Sequence, residues 1–279
     1  MNHPFLKDIM ALAVDAGKSI MSFYHRGDPL PVMTKQDRSP VTEADYSAHR
    51  VLAAGLPDLL AVPVLSEESE PPSLDVRVHW GSYWLVDPLD GTREFLDGND
   101  EFTVNIALVE SGMPSLGVIY VPVTGIGYAG GPGLGAFKYK NQQWSEIQVR
   151  TEAQRRLLEE PFRLVASRRH GISEVSRLAE RLRCSLGDVV ISEVGSSLKF
   201  CHVAEGYADL YPRFAPTSEW DTAAGQAILE AAGGCVVGLD FRPLAYNSKS
   251  DFLNPFFYGL GDGAFPWQNL LTTLGDDLE

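Results

Sequence analysis

The stretch Trp84–Phe95, WLVDPLDGTREF, sets the reading of the whole chain. An apolar run ends at Asp87, a Pro88-Leu89 turn follows, Asp90 closes it, and Gly91-Thr92 opens what reads as a helix. A strand that ends on Asp87 and a helix that starts just after Asp90 would set carboxylate oxygens beside N–H groups the first helical turn leaves unpaired. Hard divalent cations such as Mg²⁺ take carboxylates, a carbonyl and water, and keep positions open for a phosphate oxygen. The stretch therefore points to phosphate chemistry.

Two further acidic spots belong with it. VLSEES places Glu67 and Glu68 at the end of another short strand, where adjacent acids repel unless a cation or solvent relieves them. EWDTAAG places Asp221 at the N-cap of an Ala-rich helix. Singly, each has an ordinary reading: a turn aspartate, a cap, a solvated surface pair. Together with Asp-Pro-Leu-Asp-Gly-Thr they read as one site.

The chain has 279 residues, 44% of them hydrophobic, enough for a large core in one domain or two coupled halves. Its formal charge is −14, from 23 basic and 37 acidic residues, which excludes a nucleic-acid polymer held by a general positive field. A small anion remains accessible to local bases, helix N-termini or metal ions. No apolar run reaches the ~20 residues of a membrane span, and Lys7, Asp8 and Asp15 break the N-terminal apolar segment, unlike a signal peptide. A cytoplasmic protein is expected, with a peripheral place at the cytoplasmic face of the inner membrane and homo-oligomerisation left open. Cys184, Cys201 and Cys235 are widely separated and read as reduced core residues.

Periodicity predicts a helix from Pro4 to Tyr24, ended by Gly27 and Asp28-Pro29, and a second from near Thr42, where Asp45 stands three residues on. AVPVL, YWLVD, TVNIALVE, LGVIYV and LGAFKYK read as short strands of a largely antiparallel sheet. From about Glu152 the pattern shifts toward α/β layering. FRLVAS, DVVISEV, CVVGL and FFYGL alternate there with helical segments at Ser173–Cys184, Ser196–Glu205 and from Asp221. GIGYAG, Gly125–Gly130, satisfies a dinucleotide-binding pattern but lacks the following helix, so it reads as a Gly-rich hairpin. FAPTSEW reads as a loop delivering Asp221, and the C-terminal GDDLE as a frayed tail.

DPLDGTREF, with the SEE of Ser66–Glu68 about twenty residues earlier and WDTAAG later, resembles the metal-dependent phosphatase superfamily of inositol monophosphatase. Within it, EFTVNIALVE, GSSLKFCHVAEGYADLYPRF and FLNPFF are similar to bacterial 3'(2'),5'-bisphosphate nucleotidases, over nearly the whole chain. The resemblance implies an α/β (α+β) layered αβαβα sugar-phosphatase fold. It would have an N-terminal α+β half at 1–151, carrying most metal ligands, and a C-terminal α/β half at 152–279, carrying Asp221 and the nucleotide-binding residues. It implies two or three Mg²⁺ ions on Glu67, Asp87, the Leu89 carbonyl, Asp90 and Asp221. It further implies that Thr92, supported by Asp45, orients the attacking water with Glu67 in the catalytic set, and that the N–H groups of Gly91 and Thr92 hold the phosphate.

The bisphosphate nucleotidases it resembles carry a Ser-x-x-His segment, a Ser-x-x-Lys segment and an Arg fourteen residues later, seen here as Ser167 to His170, Ser196 to Lys199 and Arg213, which the resemblance implies set substrate choice. By the same resemblance His170, Ser196, Lys199 and Arg213, with Asp221, hold an adenosine bisphosphate. Arg168 and Arg169 can also be read as solvated, Lys199 as snorkelling from a helix and a lone His170 as structural, though function is favoured for Lys199 and Arg213. The activity implied is hydrolysis of the 3'-phosphate of 3'-phosphoadenosine 5'-phosphate to AMP and phosphate, clearing a by-product of sulfate activation. The alternatives are inositol monophosphatase or fructose-1,6-bisphosphatase activity, or a catalytically silent nucleotide-binding regulator.

Overall fold

The computed structural model describes residues 4–24, 32–34 and 40–273. The first part of the chain forms α1 (Pro4–Tyr24), β1 (Met33–Thr34), β2 (Pro40–Val41), α2 (Glu43–Leu59), β3 (Val64–Ser66), α3 (Leu74–Arg77), β4 (Ser82–Asp90), α4 (Thr92–Asp97), β5 (Thr103–Glu110), β6 (Met113–Val121), β7 (Ile126–Gly131), β8 (Gly135–Lys140) and β9 (Gln143–Ile147). The remainder forms α5 (Glu152–Leu157), β10 (Phe162–Ala166), α6 (Ile172–Leu186), β11 (Val189–Glu193), α7 (Leu198–Ala204), β12 (Leu210–Arg213), α8 (Glu219–Ala231), β13 (Cys235–Gly238), β14 (Phe257–Leu260) and α9 (Trp267–Thr273).

Strands β3 to β9 make a seven-stranded sheet in chain order, antiparallel except for the parallel β3–β4 pair. A five-stranded sheet runs β11-β10-β12-β14-β13, parallel across its first two pairings and antiparallel across the rest. Side chains on β4 alternate faces, as a strand requires. Trp84 and Val86 join Ile9, Ala13, Ala48 and Leu52 of α1 and α2 in one core cluster. Tyr83 and Leu85 join Phe200 of α7, Ile228 of α8 and Val165 and Phe257 of the second sheet in another. A third core packs Leu164 of β10 on Val175, Leu178 and Leu182 of α6 and on Trp267. The layers are thus helices, sheet, helices, sheet, helices, the expected αβαβα arrangement.

Several local expectations need correction. Asp87 to Asp90 do not leave the strand: β4 continues to Asp90, and a register shift against β5 replaces the Pro88-Leu89 turn. Such a bulge kinks the strand and re-aims its side chains without breaking the sheet. GIGYAG lies in a Gly-rich hairpin as expected, its Ile126–Gly130 forming most of strand β7, which pairs antiparallel with β6 and β8. The β7 glycines admit neighbours that a Cβ would strike: one built at Gly127 would fall 2.5 Å from Met10 Cε, and one at Gly131 2.3 Å from Ser115 O. Asp221 is not the N-cap of α8. Ser218 is, and Asp221 closes a capping box by accepting from the Ser218 N–H at 2.8 Å. Cys184 is exposed, against the expectation of a core residue, while Cys201 is buried. The helix stop at Gly27 to Pro29 and the acidic tail lie outside the described residues.

Candidate active site

Each acidic residue reaches the site by a different local device. Thr42 caps α2 with Asp45 in a capping box, so Asp45 Oδ2 accepts from the Thr42 N–H at 2.8 Å and its hydroxyl at 2.7 Å. Asp45 Oδ1 then accepts from the Thr92 hydroxyl at 3.1 Å. Gly91, at φ +91°, is the left-handed residue that turns the end of β4 into α4, and Thr92 follows as the first helical residue. A side chain at Gly91 would also press on Glu101 O at 3.3 Å. On the neighbouring strand β3, Ser66 is held by His49 of α2 at 2.9 Å, immediately before Glu67.

Glu67, Asp87 and Asp221 each offer a carboxylate oxygen within 4.8 Å of the others. Asp90 is outside this tight trio but lines the same cavity as Glu67 and Asp221. Its Oδ2 accepts from the Ser197 N–H at 2.6 Å and from Asn105 Nδ2 at 3.3 Å. Burial raises the carboxyls of both Asp90 and Asp221, and proximity to Glu67 adds to the rise in each. Converging carboxylates are the donor set a hard divalent cation fits. The Leu89 carbonyl stands alongside them, facing the Thr92 hydroxyl at 3.4 Å.

The cavity, about 430 Å³, is also lined by bases. Lys199 is 4% exposed and donates to the carbonyls of Val194 at 3.1 Å and Ser196 at 2.5 Å, so it does not snorkel. Burial pushes its ammonium down to about 8, with Asp90 the main opposing influence. Arg213 donates to the carbonyls of Ala215 and Pro216, at 3.1 and 2.9 Å. His170 faces the Ser167 hydroxyl at 3.3 Å, and burial together with Arg213, Arg93 and Arg169 lowers its pKa. Ser196 holds φ +46°, a conformation that costs energy for a residue with a Cβ and tends to collect at binding loops.

The cavity's five cations divide by partner. Arg168 is bound to Glu101, and Arg169 to Asp97 and Glu94, so neither is simply solvated. Arg93, Lys199 and Arg213 also line the cavity, and none of them forms a salt bridge with a carboxylate among the described residues. All of the residues singled out from the sequence therefore come to one region, with Asp45, Asp87 and Leu89 behind the lining and the others on it.

Sequence reasoning missed Thr103, Asn105 and Ser197. They form a buried knot, Thr103 Oγ1 to Ser197 Oγ at 2.8 Å and Ser197 Oγ to Asn105 Oδ1 at 2.7 Å, that braces Asp90. The available signal was a polar Asn in the otherwise apolar TVNIALVE.

A layered αβαβα scaffold with clustered carboxylates and several cations lining one cavity defines a metal-dependent phosphatase class. Within that class the chain belongs to the inositol monophosphatase family, whose family model matches residues 1–256. The chain is 47% identical over 253 residues to the 3'(2'),5'-bisphosphate nucleotidase CysQ of Escherichia coli strain K12, covering 90% of this chain and 98% of that protein. The crystal structure of CysQ from Bacteroides thetaiotaomicron superposes with a TM-score of 0.76 at 41% identity, over 92% of this chain and 96% of that one. The extragenic suppressor protein suhB of Bartonella henselae superposes equally well, with a TM-score of 0.76 at 24% identity over 99% and 100% of the two chains, and bears on the fold alone. No helix among the described residues is long and apolar enough to cross a membrane.

Proposed function

We propose that this protein is a Mg²⁺-dependent 3'(2'),5'-bisphosphate nucleotidase that hydrolyses the 3'-phosphate of 3'-phosphoadenosine 5'-phosphate to AMP and phosphate. The observation that carries the reading is one cavity lined both by Glu67, Asp90 and Asp221 and by Lys199 and Arg213, which form no salt bridge with a carboxylate among the described residues. A substrate with one phosphate to cleave and another to recognise suits such a cavity better than an inositol or sugar monophosphate does. The 47% identity to a protein named for this activity supports the same choice.

Two or three Mg²⁺ ions held by Glu67, Asp87, the Leu89 carbonyl, Asp90 and Asp221 would supply Lewis acidity, acidifying a bound water and offsetting charge on the phosphoryl oxygens. The protein's own groups do the rest. The Thr92 hydroxyl donates to Asp45 Oδ1, which leaves its oxygen to accept a hydrogen bond from the attacking water. That orients the water's lone pair toward phosphorus. The N–H groups of Gly91 and Thr92 hold the scissile phosphate at the α4 start. Lys199, Arg213, His170 and Ser196 bind the rest of the nucleotide, with Asp221 bordering the sugar. The new P–O bond comes from water and the ester P–O bond breaks, with no phosphoenzyme.

The reading places the protein in the cytoplasm, removing a by-product of sulfate activation. A phosphate-release panel with Mg²⁺, comparing adenosine 3',5'-bisphosphate with inositol monophosphate, fructose 1,6-bisphosphate and a small aryl phosphate, tests it. The expected result is a kcat/KM highest for the nucleotide. A preference for inositol phosphate would overturn the substrate assignment, and turnover of none of them would favour a silent binding protein.

A further inference from the structure

Glu101 does not line the cavity, yet it touches segments that do. It sits two residues before β5, in the connection that follows α4. Its carboxylate accepts from both terminal nitrogens of Arg168, Nη2 at 2.7 Å and Nη1 in the companion bond, which gives the two-pronged geometry of a charge-assisted pair. The same carboxylate accepts from the Gly195 N–H at 2.6 Å. Arg168 lies in the β10–α6 loop between Ser167 and His170, and Gly195 lies in the β11–α7 loop immediately before Ser196. One side chain thus ties together two loops of the second sheet, each of which presents a residue to the cavity.

The backbone of Glu101 is as closely engaged. Its carbonyl oxygen lies 3.3 Å from where a Cβ on Gly91 would be and 2.9 Å from where one on Gly195 would be. Gly195 must therefore stay small for the loop to seat on Glu101, and Gly91 makes its turn against the same carbonyl. Arg168 adds a bond to the Glu193 carbonyl at 3.3 Å, at the end of β11, closing the link between the two loops. Ser196, held at φ +46°, is the next residue after the anchored Gly195, and a strained conformation persists only where its surroundings over-determine it.

The geometry points to Glu101 as a positioning residue for nucleotide recognition: through Arg168 and Gly195 it sets the His170 loop and the Ser196–Lys199 loop at a fixed distance from the Gly91-Thr92 cradle. This rests on the functional reading above. Glu101 contacts neither substrate nor metal; it makes the two recognition loops rigid relative to the site of cleavage. Binding to preformed loops avoids an ordering cost, so loosening them weakens a ligand that reaches the loops and spares one that occupies only the cradle.

The test is a steady-state comparison of wild type, Glu101→Gln and Arg168→Lys on adenosine 3',5'-bisphosphate and on p-nitrophenyl phosphate, with thermal midpoints recorded for all three. Glu101→Gln keeps an acceptor for Gly195 but loses the charge that holds Arg168. Its KM for the bisphosphate is expected to rise roughly tenfold or more, the scale of one charge-assisted hydrogen bond, with kcat and the small-ester parameters within about twofold. Arg168→Lys keeps the charge without the fork and is expected to fall between the two. An equal loss on both substrates, or a fall in kcat that tracks a lowered midpoint, would reduce Glu101 to a structural role and overturn the proposal. Unchanged KM in a folded Glu101→Gln would overturn it as well. Failure of the wild type to prefer the bisphosphate would show in the wild-type data alone, and would overturn the functional reading before any variant is compared.

Discussion

The backbone N–H of Ser197 donates to Asp90 Oδ2 at 2.6 Å, joining the end of β4 to the residue that precedes α7 across 107 positions of chain. Asp90 is therefore tied directly to the loop that carries Ser196. Asp90→Asn is isosteric and can still accept from Ser197 through its carbonyl oxygen, so the fold should hold. The variant removes a negative charge from the proposed cation site, and kcat is expected to fall at least roughly a hundredfold with little change in thermal midpoint. Near-normal turnover by a correctly folded Asp90→Asn would remove Asp90 from the metal set.

Arg213 gives a cleaner probe of specificity than Lys199. Its guanidinium donates to the carbonyls of Ala215 and Pro216 and engages the Tyr211 hydroxyl, whereas Lys199 is a buried charge facing Asp90, and its removal also perturbs that carboxylate. Arg213→Ala is expected to raise KM for adenosine bisphosphate by roughly ten- to a hundredfold and to leave p-nitrophenyl phosphate nearly untouched. Matching losses on the two substrates would show that Arg213 serves the cleavage step or the fold and not recognition.

Much of this site was legible before any coordinates. The bounds of α1 and β5, the Thr42 cap and the spaced acids around Asp-Pro-Leu-Asp-Gly-Thr follow local rules of periodicity and capping, and local rules are what a sequence displays. The bulge that keeps Asp87 and Asp90 in one strand depends on pairing with β5, which no neighbouring residue specifies. The same holds for β12, whose Leu-Tyr-Pro-Arg was not recognised as a strand because its hydrogen-bond partners come from β10 and β14. Arg168 and Arg169 could be read as solvated because their carboxylates are 67 and 72 residues away in the chain. What stayed hidden was pairing at long range.

Three carboxylate oxygens within 4.8 Å of one another destabilise an empty site and stabilise an occupied one. Ligand that binds only the folded state adds about 2.7 kcal/mol at a hundred times its dissociation constant. Saturating Mg²⁺ at pH 7.5 should therefore raise the thermal midpoint over chelator-treated protein, and Asp87→Asn should shrink that difference. A midpoint indifferent to both Mg²⁺ and chelator would count against a cation at Glu67, Asp87 and Asp221.

The Glu101 carboxyl makes a separate prediction about acid. Burial works to raise it, but the hydrogen bonds from Arg168 and Gly195 outweigh that and hold it below the ordinary glutamate value of 4.5. A depressed folded-state value means the stabilisation is fully present above 4.5 and is lost as pH falls through the lower, folded-state value. In urea titrations the stability gap between wild type and Glu101→Gln should be constant from pH 8 to about 5 and close on further acidification. A gap independent of pH down to 3 would mean that the charge on Glu101 contributes nothing to stability.

Gly117 tests how closely the catalytic helix lies on the first sheet. It sits on β6, and a Cβ built there falls 2.2 Å from the carbonyl oxygen of Ala224 on α8, a backbone atom that cannot swing aside as a side-chain tip would. Gly117→Ala must lift α8 from the sheet, and overpacking of this kind costs roughly 1–3 kcal/mol. Because Asp221 lies one turn earlier on the same helix, the shift also moves a proposed metal ligand, and an error of ~1 Å in such a position can cost about a hundredfold in rate. The expected variant is thus both less stable in urea and slower, with weaker Mg²⁺ dependence. Gly112→Ala provides the control, since its Cβ would meet only Tyr246 O at 3.4 Å; there the strain comes from φ +77°, so stability should fall while kcat in the surviving folded protein stays put. If Gly117→Ala lost stability alone, with kcat intact, α8 would be absorbing the displacement without passing it to Asp221.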